Sequence, residues 1–123
     1  MVVEDDARVR AATSAALAEL GYNAVSCASG AEALERLKHC DDLALLMTDV
    51  MMPGMTGPEL VRRVRESWPD TRILFVTGYV GEAGEAENFR GAAVLRKPFT
   101  LRALADALAT AVKPDAEALP DVA

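Results

Sequence analysis

The chain has 123 residues, enough for one domain that buries its own core. No apolar run approaches the ~20 residues that a bilayer crossing needs, and Met1 leads into acids rather than a basic and then apolar leader, so a soluble, cytoplasmic protein is expected. Lys and Arg number 13 against 19 Asp and Glu, a net charge of -6 without a basic patch, which argues against direct nucleic-acid binding.

In chain order, Met1–Glu4 predicts a strand. Asp6 then offers an N-cap for a helix with Val9, Ala12, Ala16, Leu17 and Leu20 on one face and Gly21 at its end. A second strand is expected over Asn23–Cys27. Ser29-Gly30-Ala31-Glu32 has capping-box spacing and opens a helix that turns Leu34 and Leu37 inward. The third strand, Leu43–Thr48, runs into Asp49, and a Pro53-Gly54 turn follows. Thr56-Gly57-Pro58-Glu59 is a second capping box with Pro in the first turn, where it is tolerated. That helix carries Leu60, Val61 and Val64 and ends at Trp68-Pro69. Arg72–Thr77 and Ala92–Leu95 complete the strands, and a last helix starts at Thr100 and buries Leu101, Leu104, Leu108 and Val112.

Strands alternating with helices predict an α/β fold with a doubly wound parallel sheet covered on both faces. Between the last two strands, Gly78–Gly91 holds four glycines, and each interior Gly costs a helix about 1 kcal/mol relative to Ala. At most a short helix near Glu85–Phe89 is expected within an otherwise mobile loop. The domain is expected to span residues 1–112, followed by a polar, flexible tail over 113–123. Cys27, Cys40 and His39 cannot supply the roughly four ligands of a zinc site and read as two buried thiols and a lone imidazole. Met47, Met51, Met52 and Met55 read as packing and loop lining.

In open α/β sheets, ligands bind outside the carboxyl ends of the strands. Those ends are Glu4-Asp5-Asp6, Asp49, Thr77 and Lys97. Carboxylates ~5 Å apart repel by about 3 kcal/mol per pair at an effective dielectric near 20. A hard cation such as Mg²⁺, which takes carboxylates, a backbone carbonyl and waters, removes that penalty. Asp49 then keeps an oxygen free to accept a phosphoryl group. The three equatorial oxygens of that group would find Mg²⁺, the Lys97 ammonium, and the Thr77 hydroxyl with backbone N–H groups.

The segments "VVEDD", "LLMTDVMMPGMTGPEL", "ILFVTGY" and "LRKPF", in this order, resemble the receiver domain of two-component response regulators, over Met1 to about Val112. They look most like receivers at the C-terminal end of hybrid sensor histidine kinases. The resemblance implies a flavodoxin-like (βα)5 fold with strand order 2-1-3-4-5. It implies phosphorylation of Asp49 by a histidine kinase or a histidine phosphotransfer domain, in a phosphorelay module that catalyses its own phosphorylation rather than a turnover enzyme. By the same resemblance, Asp5 is the direct Mg²⁺ ligand, Glu4 holds the metal through water, and Met51 lends its backbone carbonyl. Thr77 and Lys97 contact the phosphoryl group, and Lys97-Pro98 is cis. Val94 departs from the family, which usually has an aromatic three positions before the lysine.

Two other readings remain beside this one. An aspartyl-phosphate phosphatase or phosphotransferase would usually place a second acid two residues past the nucleophile, where this chain has Met51. A degenerate receiver serving only as an interaction module would not need Glu4, Asp5, Asp49, Thr77 and Lys97 together.

Overall fold

The computed structural model describes residues 1–40, 43–78 and 93–112. Five strands, β1 (Val2–Val3), β2 (Ser26–Cys27), β3 (Leu46–Asp49), β4 (Ile73–Thr77) and β5 (Ala93–Arg96), form one sheet in the order β2-β1-β3-β4-β5. All four pairings are parallel. The described helices are α1 (Ala7–Glu19), α2 (Gly30–Leu37), α3 (Gly57–Ser67) and α4 (Leu101–Val112). This is the doubly wound, flavodoxin-like arrangement, with the order reversing at β1. None of the described helices is long and apolar enough to cross a membrane.

The strands are apolar on both faces because both faces are covered. Successive β4 side chains alternate between two cores, as a period of two requires. Ile73 and Phe75 pack with Ala33, Leu37, Leu60 and Val64. Leu74 and Val76 pack with Leu17, Leu95, Leu104 and Leu108. The strands are shorter than their apolar runs at the N-terminal side, and β3 extends one residue further to include Asp49.

The caps form where their sequences place them. Asp6 accepts from the backbone N–H groups of Arg8 and Val9, and Gly21 closes the end of α1 with φ +94°. Ser29 and Thr56 accept from Glu32 and Glu59 respectively. The Glu32 carboxylate reaches past the cap to the Ala28 N–H at 2.8 Å. Thr100 accepts from Ala103 at the start of α4.

Three details differ from the sequence reading. Thr13, not Ala12, is the buried residue in the middle of α1. Its place on the stripe with Leu17 outweighs its hydroxyl. Leu101 is 40% exposed rather than buried, as the first residue of α4, and is not among the residues of either core. Cys27 is buried but Cys40 is only partly so. The loop over Gly78–Gly91, its expected helix near Glu85–Phe89, and the tail from Lys113 fall outside the described residues, apart from Gly78.

Gly57 is fixed by close approach. A Cβ there would lie 2.1 Å from the Asp49 carbonyl oxygen and 3.0 Å from the Val50 Cα, while the Gly57 N–H donates to the Val50 carbonyl at 2.8 Å. Since those neighbours are backbone, Gly57→Ala requires α3 or the end of β3 to move. Overpacking of this kind costs about 1–3 kcal/mol, occasionally more. We expect Gly57→Ala to fall at the upper end of that range in urea unfolding. A midpoint within experimental error of wild type would show that the turn yields freely.

Candidate functional site

Parallel pairing brings the strand ends to one edge. The register places Asp49 opposite Val76, so Thr77 lies one residue further along β4, opposite Arg96 of β5. Lys97 follows directly, and its N–H donates to the Thr77 carbonyl at 2.8 Å. The Lys97-Pro98 peptide is cis. Glu4 stands just past β1, where its N–H donates to the Cys27 carbonyl at 3.0 Å.

Glu4 and Asp49 are 5% and 7% exposed, and Asp5 is exposed. Carboxylate oxygens from these three lie within 4.8 Å of one another. The Lys97 ammonium bridges the two buried acids, 2.9 Å from Glu4 Oε1 and 2.9 Å from Asp49 Oδ1. Glu4 also accepts from the Asp6 N–H at 3.1 Å through its other oxygen.

Burial and then the adjacent Glu4 carboxyl push the Asp49 carboxyl up to about 7, against the pull of Lys97. For Glu4, burial also opposes charge, but its bonds to Asp49, Lys97 and the Asp6 N–H outweigh it and hold the pKa below the usual range. Burial likewise opposes the Lys97 ammonium, yet the two carboxylates raise its pKa. Burial and mutual repulsion thus oppose full ionisation of the two carboxyls, and a single ammonium is shared between them. A buried pair of acids with only one cationic partner has room for more positive charge. Three hard oxygen donors in this space suit a hard divalent cation.

The structure thus brings Glu4, Asp5, Asp49 and Lys97 together, with Thr77 at the end of the next strand. Met51 lies in the turn two residues beyond Asp49 and is 63% exposed. Sequence reasoning aimed Lys97 at Asp49 alone and missed its equal bond to Glu4. It also missed Arg10, whose guanidinium donates to the Glu4 carbonyl at 2.9 Å. The available signal was a basic residue one turn into the helix that follows three acids.

Most of the chain is similar to known proteins. The response regulator receiver domain family matches residues 1–109. A response regulator receiver protein of Brucella abortus, CpdR, is 42% identical over 106 residues, covering 85% of this chain and 88% of that one. The sensor kinase CckA of the same organism is 39% identical over 109 residues, which are 85% of this chain and only 11% of the kinase. Among solved structures, the chemotaxis protein CheY4 of Vibrio cholerae superposes with a TM-score of 0.83 at 30% identity, over 89% of this chain and 94% of that one. The chain belongs to the response regulator receiver domain family. It is a receiver of two-component signalling, not a classical enzyme.

Proposed function

We propose that residues 1–112 form a phosphoacceptor unit in which Asp49 takes a phosphoryl group from a partner's phosphohistidine. The observation that carries this reading is the Lys97 ammonium held 2.9 Å from both Glu4 and Asp49 at the carboxyl edge of the sheet. In the transfer, an Asp49 carboxylate oxygen forms a bond to phosphorus as the bond from phosphorus to the histidine nitrogen breaks, and the imidazole leaves with that electron pair. Lys97 moves its donor from carboxylate to a phosphoryl oxygen, and Thr77 offers its hydroxyl to another. Glu4, Asp5, Asp49 and the Met51 carbonyl would hold Mg²⁺. When bound, that ion neutralises the acids and the charge on the transferring group.

The domain so described catalyses its own phosphorylation and does not turn over. The donor is a histidine kinase or a histidine phosphotransfer domain, in the cytoplasm, and the likeness to part of a sensor kinase supports that donor class. No nucleic acid is contacted directly, and output passes through a conformational shift of this domain. Residues 113–123 fall outside the described residues and outside the proposed unit.

Acetyl phosphate with Mg²⁺, followed by intact mass, tests the reading. One phosphate per chain in wild type and none in Asp49→Asn is the expected result. Released phosphate over many turnovers would favour the phosphatase reading, and an unmodified wild type would leave only an interaction module.

A further inference from the structure

We propose that Arg10 is a positioning residue for the cation site, fixing the backbone that carries Asp5 and so setting divalent-cation affinity. This rests on the reading that Glu4, Asp5 and Asp49 hold Mg²⁺. The three acids are held very differently. Glu4 and Asp49 are buried and tied to Lys97. The Asp5 side chain is exposed and makes no hydrogen bond or ion pair with the described residues. No partner among the described residues orients its carboxylate, so its reach into the site depends on the backbone that carries it.

That backbone is clamped on both sides. The Glu4 N–H is bonded to the Cys27 carbonyl at 3.0 Å, and the Asp6 N–H to the Glu4 carboxylate at 3.1 Å. The two carbonyls are held from α1 by one residue. The Arg10 guanidinium donates to the Glu4 carbonyl at 2.9 Å, while its N–H makes the ordinary first backbone bond of the helix to the Asp6 carbonyl at 2.8 Å, which any residue there would make. The Glu4 carbonyl belongs to the peptide that joins Glu4 to Asp5, so a guanidinium on it fixes that peptide's rotation and hence the direction of the Asp5 Cα–Cβ bond. β1 has ended by this point, so no strand ladder restrains the carbonyl.

The guanidinium's charge cannot produce the expected effect, because removing a positive charge beside the site would by itself ease a cation's approach. A loss of affinity on removing Arg10 therefore reports its geometric role. Residues that orient ligands without touching the metal commonly change affinity by about tenfold or more when removed. The same logic applies here to a main-chain hinge.

The experiment is calorimetric titration of MgCl₂ into metal-free wild type, Arg10→Ala and Arg10→Lys, at a temperature where circular dichroism shows all three folded. We expect the dissociation constant to rise about tenfold in Arg10→Ala, with partial recovery in Arg10→Lys, whose ammonium retains a donor but not the planar fork. If Arg10→Ala does not fold, Arg10→Lys alone should still bind several-fold more weakly than wild type. Equal affinity in wild type and the variants would overturn the proposal, whatever the change in melting temperature, and would leave the Mg²⁺ reading intact. A wild type that binds no Mg²⁺ would overturn that reading and this proposal together.

Discussion

Asp49→Asn is expected to melt several degrees above wild type in metal-free buffer at pH 8, and to lose most of that advantage at pH 5. The cause is the carboxyl that burial and Glu4 push up to about 7. The unfolded chain releases this proton near the ordinary aspartate value, so between those two pH values the native state binds more protons than the unfolded one. Stability then falls as pH rises, and the loss is complete once pH exceeds about 7. Glu4 is shifted the other way, so its contribution is present above the ordinary glutamate value and fades only in more acidic solution, leaving the window from pH 5 to 7 to Asp49. Asparagine keeps the shape and removes the charge. Solvent reaches the site in part, which discounts the gain to the order of 1 kcal/mol, or about 4 °C for a domain of this size. Mg²⁺ should do for wild type what asparagine does for the variant, since it binds only the folded acids. Millimolar Mg²⁺ should therefore raise the wild-type melting temperature at pH 8 and leave Asp49→Asn nearly unchanged. A wild-type melting temperature that is flat from pH 5 to 8 in EDTA would rule out the strained carboxylate.

The sequence was most readable where local chemistry and global fold agree. Asp6, Ser29 and Thr56 each cap a helix for reasons confined to three or four residues, and each does so in the folded chain. Strands alternating with helices point to a parallel sheet, and all four strand pairings are parallel. Strand limits were less legible, since Ala44 or Asn23 reads as strand while pairing depends on neighbours distant in the chain. Thr13 shows the same limit: its burial follows from the face that α1 turns to the sheet, not from its own polarity.

The candidate site divides the same way. Glu4, Asp5, Asp49, Thr77 and Lys97 were legible as strand ends, because a parallel sheet gathers its carboxyl ends at one edge. What could not be read was which atoms meet. The bond from Lys97 to Glu4 joins residues 93 apart in sequence, and the Arg10 bond depends on where β1 stops. The Gly57 constraint was equally hidden: capping explained the residue's neighbours, while the Asp49 carbonyl against its Cα explains the glycine.

Met51→Asn is expected to shorten the lifetime of the phosphorylated form by about tenfold or more, from a wild-type lifetime well beyond seconds. Hydrolysis of an acyl phosphate needs a water in line with the bond from Asp49 to phosphorus, on the side away from the carboxylate. Met51 stands two residues past the acceptor and is 63% exposed, and in a receiver its side chain is expected to flank the approach from solvent. A thioether is a poor hydrogen-bond partner and cannot orient that water, whereas an amide offers both a donor and an acceptor. Tenfold in rate corresponds to 1.36 kcal/mol of barrier, within what one well-placed hydrogen bond supplies. Tyr79, two residues past Thr77, is expected to flank the other side of the approach, although it lies outside the described residues. The double variant Met51→Asn/Tyr79→Glu should therefore lose phosphate faster still. Met51→Ala separates the two ways a methionine can protect the bond: it removes bulk without adding a polar group, so any acceleration it shows measures shielding alone. The measurement is phosphate loss from purified phosphoprotein with Mg²⁺ and no kinase. A wild-type half-life of seconds, or no acceleration in Met51→Asn and the double variant, would remove these two residues from control of the signal's duration.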